Sequence, residues 1–181
     1  MNNTYILILG GEFALRERVL AGALRASGGM RVLTMAKNRT SPTIKFFDGF
    51  LPGDVADAEA VLLAVQAHQQ ETGETPAAVI PMNDFTVRAA SLLTEHYQLY
   101  GNDCQTITNC RDKFVMKQIL QAAGLPVPRF AAFRTLTELK KLIAEFGLPV
   151  VIKPRELAGS LGVLKITHEQ EIEEVFARCV T

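Results

Sequence analysis

The sequence predicts an α/β protein: a doubly wound parallel sheet followed by a smaller α+β unit. Three observations carry this. Tyr5-Ile6-Leu7-Ile8-Leu9 is a continuous apolar run closed by Gly10-Gly11, the pattern of a strand buried on both faces. Runs of this kind alternate with stretches at helical spacing, and parallel strands need a crossover that a helix supplies. Beyond about residue 104 the style changes to a helix, a proline-marked exit and short strands around a glycine turn.

In chain order, Leu15, Val19, Leu20, Ala23 and Leu24 fall at helical spacing and stop at Gly28-Gly29, where glycine can take the left-handed cap conformation. Arg31 to Met35 reads as a second strand and Ile44 to Phe47 as a short third one. Asp54 and Asp57 favour the start of a helix through Gln70, because carboxylates complement the positive end of the helix dipole. Ala77 to Ile80 is a fourth strand closed by Pro81. Asn83 or Asp84 is positioned to cap a helix with Val87, Ala90, Leu93 and Tyr97 on one face. This first domain spans residues 1–104.

Residues 105–128 are expected to form a connector. Asp112 to Ala123 is a helix with Val115, Met116, Ile119, Leu120 and Ala123 on one face, stopped by Gly124, Pro126 and Pro128. From 129 to 181 a second unit begins. Thr135 and Glu138 have capping-box spacing and open a helix to Phe146; Gly147 and Pro149 then separate it from the strand Val150 to Lys153. After Gly159-Ser160-Leu161-Gly162, Val163 to Ile166 is the returning strand, and Thr167 with Gln170 has capping-box spacing before the last helix.

The composition bounds the function. The chain has 181 residues, 48% hydrophobic and 21% charged, enough apolar surface to fold. Nineteen basic and nineteen acidic residues balance, so no global field favours nucleic acid or an acidic membrane surface. The first apolar run is too short to span a bilayer and lacks a basic start and cleavage site. Cys104, Cys110 and Cys179 form no CxxC pair and suit a reducing compartment, so a cytoplasmic location is expected.

Candidate chemistry lies at few positions. Gly10-Gly11 ends the first strand, where open sheets bind ligands, but GxGxxG is absent and the second strand ends in Met35-Ala36-Lys37 rather than an acid for a ribose. A tight turn explains the pair as well, and a nicotinamide-dependent dehydrogenase is disfavoured. Lys113 puts a cation in the first turn of a helix, which opposes the dipole unless something anionic is near; beside Asp112 it can equally be an exposed lysine. Lys153 closes a buried-type strand, where its stem can pass apolar neighbours while its ammonium reaches a cleft or water. Gly159, Ser160 and Gly162 make a turn that can be a hairpin loop or can close N–H groups and a hydroxyl over phosphate. No Walker loop, HExxH, GxSxG or metal-ligand cluster occurs, so the residues name no catalytic group and no metal site.

Taken together, Arg111-Asp112-Lys113-Phe114-Val115-Met116-Lys117, Ala123-Gly124-Leu125-Pro126-Val127-Pro128, Pro149-Val150-Val151-Ile152-Lys153-Pro154 and Gly159-Ser160-Leu161-Gly162-Val163 resemble, in order and spacing, the first half of ATP-grasp enzymes. The resemblance implies a pre-ATP-grasp, Rossmann-like domain at 1–104, the connector at 105–128, and a truncated lid subdomain at 129–181. It implies that Lys113 and Lys153 contact ATP phosphates beneath a mobile loop of Gly159, Ser160 and Gly162. Asn83-Asp84 and Arg111-Asp112-Lys113 look most like carboxylate–amine ligases, including carbamoyl-phosphate-synthase-like members. These phosphorylate a small-molecule carboxylate to an acylphosphate that an amine then attacks, with Mg2+ neutralising the triphosphate. In that family the magnesium ligands lie further along than residue 181, so the chain alone is expected to be an inactive fragment. The alternative is a non-catalytic nucleotide-binding or interaction module. Oligomeric state, a homo-oligomer included, stays open.

Overall fold

The computed structural model describes residues 3–11, 26–40 and 42–180. The helix expected from Leu15 to Leu24 lies outside the described residues. The chain divides into two compact units, Met1–Ile107 and Thr108–Thr181.

In the first unit β1 (Thr4–Leu9), β2 (Arg31–Ala36), β3 (Gly49–Pro52) and β4 (Thr75–Pro81) form one parallel sheet in the order β3-β2-β1-β4. The apolar run that read as a buried strand and the second strand hold the centre: Tyr5, Leu7, Ile8, Leu9, Val32, Leu33 and Met35 are all buried. Period-two alternation sorts them. Tyr5, Leu7, Leu9, Leu33 and Met35 pack with Val61, Val65, Ala90 and Leu93 of two helices, while Ile8 and Val32 form the opposite face with Phe47 and Met82. At about 1.5–3 kcal/mol per large side chain removed from water, this apolar face is the main force that holds the helices on the sheet.

The helices are α1 (Ala58–Thr72) and α2 (Val87–His96). Asp57 caps α1 as expected, accepting a hydrogen bond from the Ala60 amide at 3.1 Å, and Gly73 ends it in the left-handed conformation at φ 74°. Two expectations fail. Ile44 to Phe47 is no strand: Pro42–Phe46 is a 3-10 turn, tied down by the Thr43 hydroxyl donating to the Gly11 carbonyl at 2.7 Å. The third strand starts after it, because the Asp48 carboxylate accepts from the Val32 amide at 2.8 Å and Gly49 pairs with Leu33, whose Cγ would lie 3.0 Å from an added Cβ. Nor does Asn83 or Asp84 cap α2. Asn83 accepts from the Phe85 amide at 2.9 Å, closing a turn, and Thr86 is the residue before the helix.

In the second unit, β5 (Val150–Ile152) and β6 (Leu164–Ile166) pair antiparallel. Their inward residues Ile152 and Ile166 pack with Leu139 and Ile143 of α5 (Leu136–Phe146) and with Ile172 and Val175 of α6 (Ile172–Val180). The capping box that opens α5 is present as read: Thr135 accepts from the Glu138 amide at 3.2 Å, and the Glu138 carboxylate accepts from the Thr135 amide at 3.1 Å. Before α6 the acceptor is Glu171 rather than Gln170; it takes the Thr167 and His168 amides at 2.7 and 3.1 Å, since a carboxylate binds amides more strongly than a carboxamide. Of the two remaining helices, α3 (Cys104–Arg111) crosses the boundary between the units, and α4 (Lys113–Ala122) lies in the second unit. The architecture is therefore mixed α/β: a four-stranded parallel sheet, then a two-stranded antiparallel one.

Candidate functional site

The candidate site lies within the second unit, where the start of α4 meets the segment that leaves β5. Asp112 joins them. It is buried and caps α4, accepting from the Phe114 and Val115 amides at 2.9 and 3.2 Å. The same carboxylate receives the Arg155 guanidinium through both oxygens, with Nε to Oδ1 at 3.0 Å. That guanidinium, and then the amide bonds, hold the Asp112 carboxyl below the ordinary aspartate range.

Three carbonyls of the same segment are occupied. Arg111 donates to Glu156 O at 2.6 Å; Lys113 donates through its amide to Arg155 O at 3.0 Å and through its ammonium to the carbonyls of Arg155 and Leu157. The cation that opposes the helix dipole is thus held by backbone dipoles of another segment. Its stem, fixed at both ends of the contact, is pre-positioned at the edge of a cavity.

That cavity has a volume of about 730 Å³. Lys113, Lys117, Arg129, Arg134, Lys153 and Arg155 line it with Phe114, Phe130, Phe133 and Phe146, and among the described residues no aspartate or glutamate does. The Lys117 ammonium stands 5.4 Å from the centre of the Phe130 ring. Burial, and after it the Lys153 ammonium, push Lys117 below the ordinary lysine range. Aromatic walls with a cluster of cations and no acid make a site for an anion that carries a flat or apolar part.

Lys113 and Lys153, both singled out in the sequence, are brought together on this cavity. Gly159, Ser160 and Gly162 do not line it. They form an exposed turn, all at positive φ (64°, 61° and 68°), closed by the Val163 amide on Ser160 O at 3.2 Å. The turn stays beside the lysine through Gly162, where a Cβ would meet Pro154 Cγ at 2.7 Å. Sequence reasoning missed Lys117 and Arg155. The first could have been found one helical turn after Lys113; the second follows Pro154 with no local signal, because its partner is 43 residues away.

Among the described residues no group of three His, Cys, Asp or Glu could hold a metal ion. Nor is any described helix long and apolar enough to cross a membrane.

Comparison with known proteins adds to this geometry. Residues 119–181 match the family model described as D-ala D-ala ligase C-terminus. Alanine–anticapsin ligase of Bacillus subtilis is 30% identical over 101 residues, which is 56% of this chain and 21% of that protein. The L-amino acid ligase from Bacillus licheniformis superposes with a TM-score of 0.78 at 23% identity, covering 99% of this chain and 43% of that one. N5-carboxyaminoimidazole synthetase from Staphylococcus aureus, solved with ADP, gives 0.75 at 22% identity over 98% of this chain and 45% of that one. The fold of this chain is that of these ligases, and it spans less than half the length of each.

Proposed function

We propose that this chain is an ATP-grasp protein whose second unit binds ATP phosphates for a carboxylate–amine ligase, a reading supported by the match of residues 119–181 to the D-ala D-ala ligase C-terminus model. Lys113 and Lys153 contact the phosphate oxygens, and Gly159, Ser160 and Gly162 close above them. The observation that supports this reading is the cavity with six basic side chains, aromatic walls and no acid.

The reaction follows from the chemistry of the partners. A carboxylate oxygen attacks the γ-phosphorus of ATP, ADP leaves, and the resulting acylphosphate is attacked by an amine with loss of phosphate. Negative charge spreads over the transferred group, and the ammonium groups that line the cavity stabilise it. Magnesium, when bound with the nucleotide, neutralises triphosphate charge.

Isothermal titration of the 181-residue chain with Mg-ATP, repeated on Lys153→Ala, tests the reading. Loss of one charge-assisted contact is worth about 1.5–3 kcal/mol, so the variant is expected to bind roughly 10- to 100-fold more weakly. Equal binding by both proteins removes Lys153 from the site.

A further inference from the structure

Lys117 is one of the cations on the cavity that the sequence did not single out. It shares a face of α4 with Lys113, one helical turn away, so the two Cβ atoms are about 5–6 Å apart. The charged groups around it are Lys113 on its own helix, Lys153 and Arg155 after β5, and Arg129 and Arg134 on the segment entering α5; the Cys179 thiol of α6 also lines the cavity. Of the acids that pair with these cations, Asp112 holds Arg155, and Glu145 pairs with Arg129 at 3.3 Å. Lys113 is held by carbonyls. Neither Lys117 nor Lys153 has an acidic partner among the described residues, and what faces the Lys117 ammonium is the Phe130 ring.

We propose that Lys117 is a further nucleotide-binding residue whose ammonium group is completed by the bound polyphosphate, so that binding draws a proton into the cavity. The inference rests on the nucleotide reading of this cavity. Burial and the Lys153 charge disfavour the protonated form in the free protein. A polyphosphate reverses the balance by placing several negative oxygens between the two lysines. Proton uptake then appears wherever the pH lies between the free and bound values of Lys117, and affinity falls as pH rises through the free value. The Phe130 face holds the ammonium in place, since a cation over a ring is attracted to it while its N–H groups stay open to an acceptor.

The test is titration calorimetry of the full chain with Mg-ATP and, separately, inorganic tripolyphosphate, in buffers of differing ionisation heat across the alkaline range. The wild type is expected to take up a fraction of a proton per ligand bound. K117R keeps its charge at every pH used, so it should bind with that uptake lost; K117M should bind roughly tenfold more weakly or worse. Binding without proton uptake, or uptake undiminished in K117R, overturns the inference and leaves the nucleotide site standing. Lys117-dependent uptake with tripolyphosphate but no binding of Mg-ATP upholds the lysine as a polyphosphate ligand and removes the nucleotide reading. Failure of both ligands to bind removes both.

Discussion

Asp112 performs two tasks at once, and replacing it by alanine and by asparagine separates them. As a cap it accepts two amide bonds, at 2.9 and 3.2 Å, and loss of such a cap costs about 1 kcal/mol, up to about 2. As an ion-pair partner it holds Arg155, but the guanidinium side chain is 52% exposed, so water screens that contribution and takes over when the pair is lost. The cap therefore dominates. Asp112→Ala is expected to cost about 1–2 kcal/mol, and Asp112→Asn, which keeps an amide acceptor, distinctly less. The chain has no tryptophan, and its three tyrosines, Tyr5, Tyr97 and Tyr100, all fall in the first unit, so tyrosine fluorescence does not report on this region. Amide exchange of peptides covering α4 does, and 1–2 kcal/mol appears there as roughly 5- to 30-fold faster opening. The folded carboxyl is depressed, so its stabilisation is present above the ordinary value of 3.8 and lost as pH falls through the folded value. Asparagine should abolish that acid dependence in α4. If asparagine proves as damaging as alanine, the ion pair outweighs the cap and the reasoning is wrong.

Other substitutions probe the loop and the sheet. Gly162→Ala meets both a left-handed backbone and the Pro154 ring at 2.7 Å, whereas Gly159→Ala meets the same backbone with nothing within 4 Å. The second should cost about 1–2 kcal/mol and the first clearly more, read by exchange of the 150–166 peptides; equal costs would mean that the Pro154 contact is soft. Tyr5 is fully buried, and its hydroxyl has no hydrogen-bond partner among the described residues. Tyr5→Phe should then leave urea stability of the first unit unchanged or raise it, because an unsatisfied buried hydroxyl costs about 1–3 kcal/mol; Tyr97 and Tyr100 remain as the fluorescent reporters. A loss of stability above about 1 kcal/mol would show that the hydroxyl is satisfied.

The fold was legible where pattern and burial agree. Tyr5 to Leu9 is apolar on both faces because both faces are covered, so the run alone identifies a central strand. Thr135 with Glu138 gave the start of α5 because that signal is local, confined to four residues. The misreading of Ile44 to Phe47 had a different origin. Apolar residues there are held by the Thr43 hydroxyl on the Gly11 carbonyl, 32 residues away, and the real strand contains Gly49 and Pro52, which have poor strand propensity. An edge position tolerates both: glycine leaves room for Leu33, and proline sits at the last residue of the edge strand.

The candidate cavity was legible only in part, through Lys113 and Lys153. Lys113 looked unfavourable at a helix start, and its partners turned out to be carbonyls contributed by residues 155 and 157. No window of sequence around Lys113 contains them. The same distance hid Arg155, whose role depends on a carboxylate before α4. Lys117 differs, since its spacing from Lys113 was visible throughout. What was not visible is that its surroundings contain cations and rings but no acid, a property of the cavity as a whole. A surface lysine and a ligand-binding lysine have the same sequence neighbours; they differ in whether folding supplies a counter-charge. At Lys117 and Lys153 it supplies none among the described residues, and a polyphosphate would.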